Sequence, residues 1–98
     1  LIETWVTLRY AALLGHELNV ALDCNGEPLR ADMTYRYDSA DGGLRQSPQG
    51  DITGDHIKLI RLIATRPLSV LIQIGGIATL LPECLLLARQ HAAVEMFN

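Results

Sequence analysis

Apolar positions in residues 2–18, IETWVTLRYAALLGHEL, recur near a helical period: Ile2, Val6, Leu8, Leu13 and Leu14, with Trp5 beside them. Ala11 and Ala12 are strong helix formers, and Gly15 predicts that the helix loosens or stops there. The period is lost over residues 19–32, NVALDCNGEPLRAD, where Asn25-Gly26 is a turn dipeptide and Pro28 removes a backbone donor. That segment reads as a loop. Residues 33–37, MTYRY, alternate around β-favouring Thr and Tyr. Asp41-Gly42-Gly43 then predicts a turn and residues 44–46 a short returning strand, which together make a β-hairpin over about 33–46. The polar, punctuated SPQGDI of 47–52 reads as a linker.

A second helical pattern opens after Thr53, whose hydroxyl is suited to cap the first free N–H groups. Ile57, Ile60 and Ala64 share one face, with Leu59 and Ile63 beside them. Lys58 and Arg61 sit together on the surface, three residues apart. Pro67 ends this helix. Residues 68–81 stay open between a buried helix weakened by Gly75-Gly76 and a β-hairpin turning at those glycines. Pro82 suits the first position of a last helix, and residues 82–97 supply good helix formers throughout. No internal repeat or low-complexity segment interrupts the chain. The expectation is one mainly α domain over 1–98, a small helical domain with a short hairpin.

Composition narrows what such a domain does. The 98 residues are about one domain's worth and are 49% hydrophobic, which excludes global disorder. The net charge is −3, so a basic nucleic-acid-binding domain is not expected. The charge is uneven: seven acids and four bases fall in residues 1–50, and four of each in 51–98. One Phe and one Trp leave the core to aliphatic residues. Cys24 and Cys84 are too few for a disulfide scaffold and too far apart for a structural zinc, which points to a reducing cytosol. The first residues have none of the ordered regions of a signal peptide. The leading Leu1 in place of Met suggests a fragment of a longer chain. Residues 67–82 carry no charge, but they fall short of the roughly 20 apolar residues a spanning helix needs, so a buried segment is expected and no membrane contact.

No catalytic constellation emerges, and the chain is not expected to be an enzyme. His16, His56 and His91 lack metal-site spacing, and a surface or capping role is expected for each. Cys84 lies seven residues before His91, about two helical turns away, and sits among leucines as a small core residue. Asp38 and Asp41 read as solvated turn formers. Neither glycine pair is followed by the Gly-Lys-Ser/Thr of a phosphate loop. Lys58, Arg61 and Arg66 make at most one small basic patch. It reads either as a solvated helix face or as a clamp for an acidic tail or phosphates.

One ordered set of segments is more specific. ALLGH at 12–16 precedes LDCNGEP at 22–28. MTYRYDSADGG follows at 33–43, and ITG at 52–54 opens a helix. This order and spacing resemble the C-terminal domain of the RecO family, bacterial recombination mediators in DNA repair, over about residues 8–65. The resemblance implies a helical domain that in the family follows an N-terminal OB-fold, here absent, which is the main DNA-binding part. It implies strand annealing and recombinase loading with a RecR-type partner. It also implies docking of the acidic C-terminal tail of the single-stranded-DNA-binding protein in an apolar groove edged by basic side chains. Two departures stand out. Some members hold a zinc in four cysteines of the loop, where this chain has only Cys24, so no zinc or other cofactor is expected. The family's basic final helices are here nearly neutral, with only Arg89 in 68–97.

For the tail, the resemblance and the residue chemistry together nominate a partner-binding set. Arg9, Lys58 and Arg61 form its basic rim, and Leu13, Ile57 and Ile60 line its apolar pocket. The alternative is a small helical protein–protein interaction or oligomerisation module unrelated to repair, motivated by the neutral stretch 68–87.

Overall fold

The computed structural model describes residues 1–97. In chain order the elements are α1 (Ile2–Leu13), β1 (Tyr35–Asp38), β2 (Gly43–Gln46), α2 (Gly54–Thr65), α3 (Leu68–Leu71) and α4 (Leu81–Phe97). The domain is mainly α with one antiparallel hairpin, as the hydropathy pattern predicts. Tyr35 pairs with Gln46 and Asp38 with Gly43. Gly42 turns the hairpin at φ +66°.

α1 stops at Leu13 and does not run on to residue 18. Gly15 takes a φ of +82°, and two hydrogen bonds close the end: His16 N–H donates to the Ala11 carbonyl (2.8 Å) and Gly15 N–H to that of Ala12 (3.0 Å). This is a Schellman closure, which uses the glycine's left-handed conformation to satisfy the last carbonyls.

The buried face of α1 differs from the one its large apolar residues suggest. Thr4, Leu8 and Ala11 face the core. Ile2, Val6, Tyr10 and Leu13 form an exposed stripe, with Leu13 81% and Ile2 64% accessible. The buried side chains are mostly small, which suits close packing of α1 on α4, its main neighbour.

Thr53 begins α2 with a capping box in which an imidazole replaces the usual carboxylate. The Thr53 N–H donates to His56 Nδ1 (3.1 Å), and the Thr53 hydroxyl lies 2.9 Å from the same nitrogen. His56, Ile57, Leu59, Ile60 and Ile63 are buried, whereas Ala64, expected on that face, is exposed. Arg66 is extended at the helix end and Pro67 follows it.

Residues 68–81 form neither a full helix nor a hairpin. One turn of helix, α3, is followed by turns through Gly75 and Gly76, the latter at φ +76°, before α4 starts. Leu71 is fully buried, and Ile74, Ile77 and Leu80 pack partly against the core. Val70 and Ile72 stay exposed. Among the described residues no helix is long and apolar enough to cross a membrane.

Two segments are more ordered than their composition suggests. The 47–52 segment is no free linker: Tyr35 N–H donates to the Ile52 carbonyl (2.8 Å) and Ile52 N–H returns a bond to Tyr35 (3.0 Å). Ile52 is buried, and a side chain on Gly50 would overlap the Tyr35 backbone. The 19–32 loop is folded on itself. Asp23 Oδ1 accepts the N–H groups of Asn25 and Glu27, and Cys24 N–H ties the loop to the Leu44 carbonyl of β2.

His91 is buried on α4, neither on the surface nor at a cap. Its Nε2 lies 2.6 Å from the His16 carbonyl and its Nδ1 3.0 Å from the Tyr37 hydroxyl, so it links α4 to β1 and to the end of α1. Cys84 is buried as expected, and burial pushes its thiol up to about 12.

A basic cleft at the start of the second helix

Gly54, Ile57, Lys58 and Arg61 occupy i, i+3, i+4 and i+7 of α2, which places them on one helix face. Leu29, Arg30 and Ala31 of the folded loop stand opposite, and the two walls enclose a cleft of about 200 Å³. This is below the ~300–1,000 Å³ of sites that enclose a small molecule. The cleft has room for one large side chain, with the rest of a ligand lying on the surface.

The loop wall is held from below. The Tyr35 side chain is buried, and its hydroxyl accepts the Arg30 N–H at 2.9 Å. Arg30 and Met33 then close a turn through a backbone hydrogen bond of 3.4 Å. At the mouth the loop crosses α2 where Gly54 leaves space. A Cβ at Gly54 would lie 2.6 Å from the Ala31 carbonyl oxygen and 2.8 Å from its Cα. No other residue allows that approach without movement of the loop.

Three cations surround the cleft, each in a different state. Lys58 is exposed and has no ionic or hydrogen-bonded partner among the described residues. Arg61 donates Nε–H to the Val20 carbonyl at 2.8 Å, which orients its guanidinium. Arg30 donates Nε–H and Nη2–H to the two oxygens of Asp32 at 3.1 and 3.0 Å. Ile57 supplies apolar wall and is 3% exposed, so only its edge is available.

The six nominated residues therefore divide. Ile57, Lys58 and Arg61 come together. Ile60 lines a separate groove between α1 and α2, shared with Leu8 and Arg9. Leu13 borders an open depression beside Trp5 and Ala64. Arg9 is engaged in holding the fold: its Nη2 donates to the Arg66 carbonyl (2.7 Å) and its Nε to that of Ile63 (3.3 Å). Its guanidinium also lies 5.4 Å from the Trp5 ring centroid, and Trp5 Nε1–H reaches the same Arg66 carbonyl. A cation at the end of α2 satisfies its last carbonyls and complements its dipole. Leu29, Arg30, Ala31 and Gly54 were not nominated. They lie in or beside the LDCNGEP and ITG segments, and only the folded loop brings them together.

A second cluster joins Cys24, Asp38 and Asp41, whose ligand atoms lie within 4.8 Å of one another. Arg45 already engages both carboxylates, Asp38 at 2.6 Å and Asp41 at 2.5 Å. The hydrogen bond from Arg45 holds the Asp38 carboxyl below its usual range, helped by the N–H groups of Ala40 and Asp41. Burial raises the Cys24 thiol, against the pull of Arg45. Arg45 offsets one of the two carboxylate charges in this turn closure; Asp38 is half-buried, whereas Asp41 stays solvated as turn chemistry implies.

No family model matches the chain, and the searches of curated proteins and of solved structures give no match.

Proposed function

We propose that this chain is the partner-docking helical domain of a RecO-like recombination mediator, a non-enzymatic adaptor in DNA repair and homologous recombination. It docks the acidic tail of the single-stranded-DNA-binding protein and supports annealing and recombinase loading with a RecR-type partner, in the cytoplasm. DNA contact falls mainly to an N-terminal OB-fold outside this chain.

One observation carries the reading. A side-chain-sized apolar cleft is edged by Arg30, Lys58 and Arg61 in a chain whose net charge is −3. Local basic charge around an apolar slot suits an acidic peptide with a hydrophobic end. The ordered segments from Ala12 to Gly54 support the same reading, since they build the loop wall, the hairpin beneath it and the start of α2. The test is fluorescence anisotropy with an acidic peptide ending in phenylalanine. Saturable binding that weakens with salt and falls at least about tenfold in the Lys58→Ala, Arg61→Ala double variant is expected. No binding, or equal binding by the double variant, overturns the assignment.

A second reading, an interaction or oligomerisation module unrelated to repair, is favoured by the exposed stripe of Ile2, Val6, Tyr10 and Leu13 on α1. Small-angle scattering over a concentration series separates the two. A stable dimer that Val6→Glu returns to monomer supports the module.

A further inference from the structure

Arg30 and Asp32 differ from the other ion pairs at this end of the domain. The guanidinium presents two parallel N–H groups to both oxygens of one carboxylate, the geometry that arginine offers to any incoming carboxylate. Both side chains are largely open to water, at 63% and 65%. Arg45, by contrast, is 33% exposed and pairs with an Asp38 that is 19% exposed and fixed by its own turn. An open pair two residues apart is weakly held and readily exchanged. It also re-forms without any movement of the backbone.

We infer that Asp32 is a built-in competitor for the cleft: it occupies the Nε/Nη2 edge of Arg30 in the free protein, and an acidic ligand gains that two-pronged edge of the third cation only by displacing it. This rests on the docking reading above. Lys58 has no partner among the described residues, and Arg61 uses one N–H on Val20. Those two meet a ligand first. Arg30 joins when a further ligand carboxylate replaces that of Asp32, whose own exposed carboxylate is then released to solvent. Asp32 thereby sets a threshold. A peptide with one carboxylate is held by Lys58 and Arg61 alone, whereas a peptide with several recruits Arg30. The device favours runs of acidic residues over single ones.

The experiment is a double-mutant cycle read by fluorescence anisotropy, with the acidic, phenylalanine-ended peptide as probe. The four chains are the wild type, Asp32→Asn, Arg30→Ala and both changes together, with circular dichroism confirming the fold of each. Asp32→Asn is expected to bind about two- to fivefold tighter than wild type. The gain should vanish when Arg30 is alanine. Equal affinity of wild type and Asp32→Asn overturns the inference and leaves the docking reading standing. So does a gain that survives in the Arg30→Ala background, since it would reflect net charge alone. Absence of binding by all four chains overturns the docking reading and the role of Asp32 with it.

Discussion

α1 and α2 are each twelve residues long and lie against one another, yet they distribute their apolar residues in opposite ways. α2 buries its large aliphatic side chains and exposes Lys58 and Arg61. α1 buries Thr4, Leu8 and Ala11 and exposes Ile2, Val6, Tyr10 and Leu13. Periodicity identifies both helices, but it selects the inward face only where one face is polar. In α1 both faces are apolar, and side-chain size decides the outcome: the small residues face α4, the neighbour it packs on most.

The largest test of this contrast is a pair of truncations. Ile63→Ala removes a side chain with no accessible surface and should cost about 3 kcal/mol in urea unfolding. Leu13→Ala should stay within about 0.5 kcal/mol. Similar losses for the two would break the distinction between the helices. Next in size is Arg9→Ala, which leaves the carbonyls of Ile63 and Arg66 without their cation and should cost about 1–2 kcal/mol by the same measurement.

Thr4→Val should act in the other direction. The Thr4 hydroxyl is buried with no hydrogen-bond partner among the described residues, so an isosteric methyl should raise stability by about 1 kcal/mol, seen as a higher thermal midpoint. A fall would mean that the Thr4 hydroxyl makes a hydrogen bond in the folded protein that valine cannot replace. The smallest effect belongs to the hairpin, away from both helices. Asp38 titrates below its usual value when folded, so its contribution is present above the ordinary aspartate range and is lost as pH falls through the lowered value. Asp38→Asn should therefore weaken the fold slightly near neutral pH. The difference from wild type should disappear in strong acid, as followed by unfolding at several pH values.

Much of the architecture was written in local pattern. The hairpin follows from MTYRY and Asp41-Gly42-Gly43, α2 from Thr53 and the run after it, and the helix stops from Gly15 and Pro67. What stayed hidden depends on contacts between distant residues. Ile52 pairs with Tyr35, and His91 joins Tyr37 to His16, pairings that no local window contains. The candidate site divides in the same way. Ile57, Lys58 and Arg61 share a helix face and are grouped by spacing, whereas Arg9 sits apart from them because its acceptors are carbonyls at the far end of α2. Arg30 and Gly54 become neighbours only once Tyr35 has fixed the loop.

The packing of α1 mostly on α4 has a bearing on how the chain acquires its shape during synthesis. Glu3 pairs with Arg89, and the carbonyl of His16 with the ring of His91, so α1 waits for α4, the last helix described in this domain. Until then the side that α4 covers stays wet, and contacts of such long sequence separation form late and slowly. A nascent chain halted before residue 81 has made the cleft's residues but lacks the wall that seats α1. Ribosome-bound intermediates of this domain should therefore be protease-sensitive in α1, which should gain protection last.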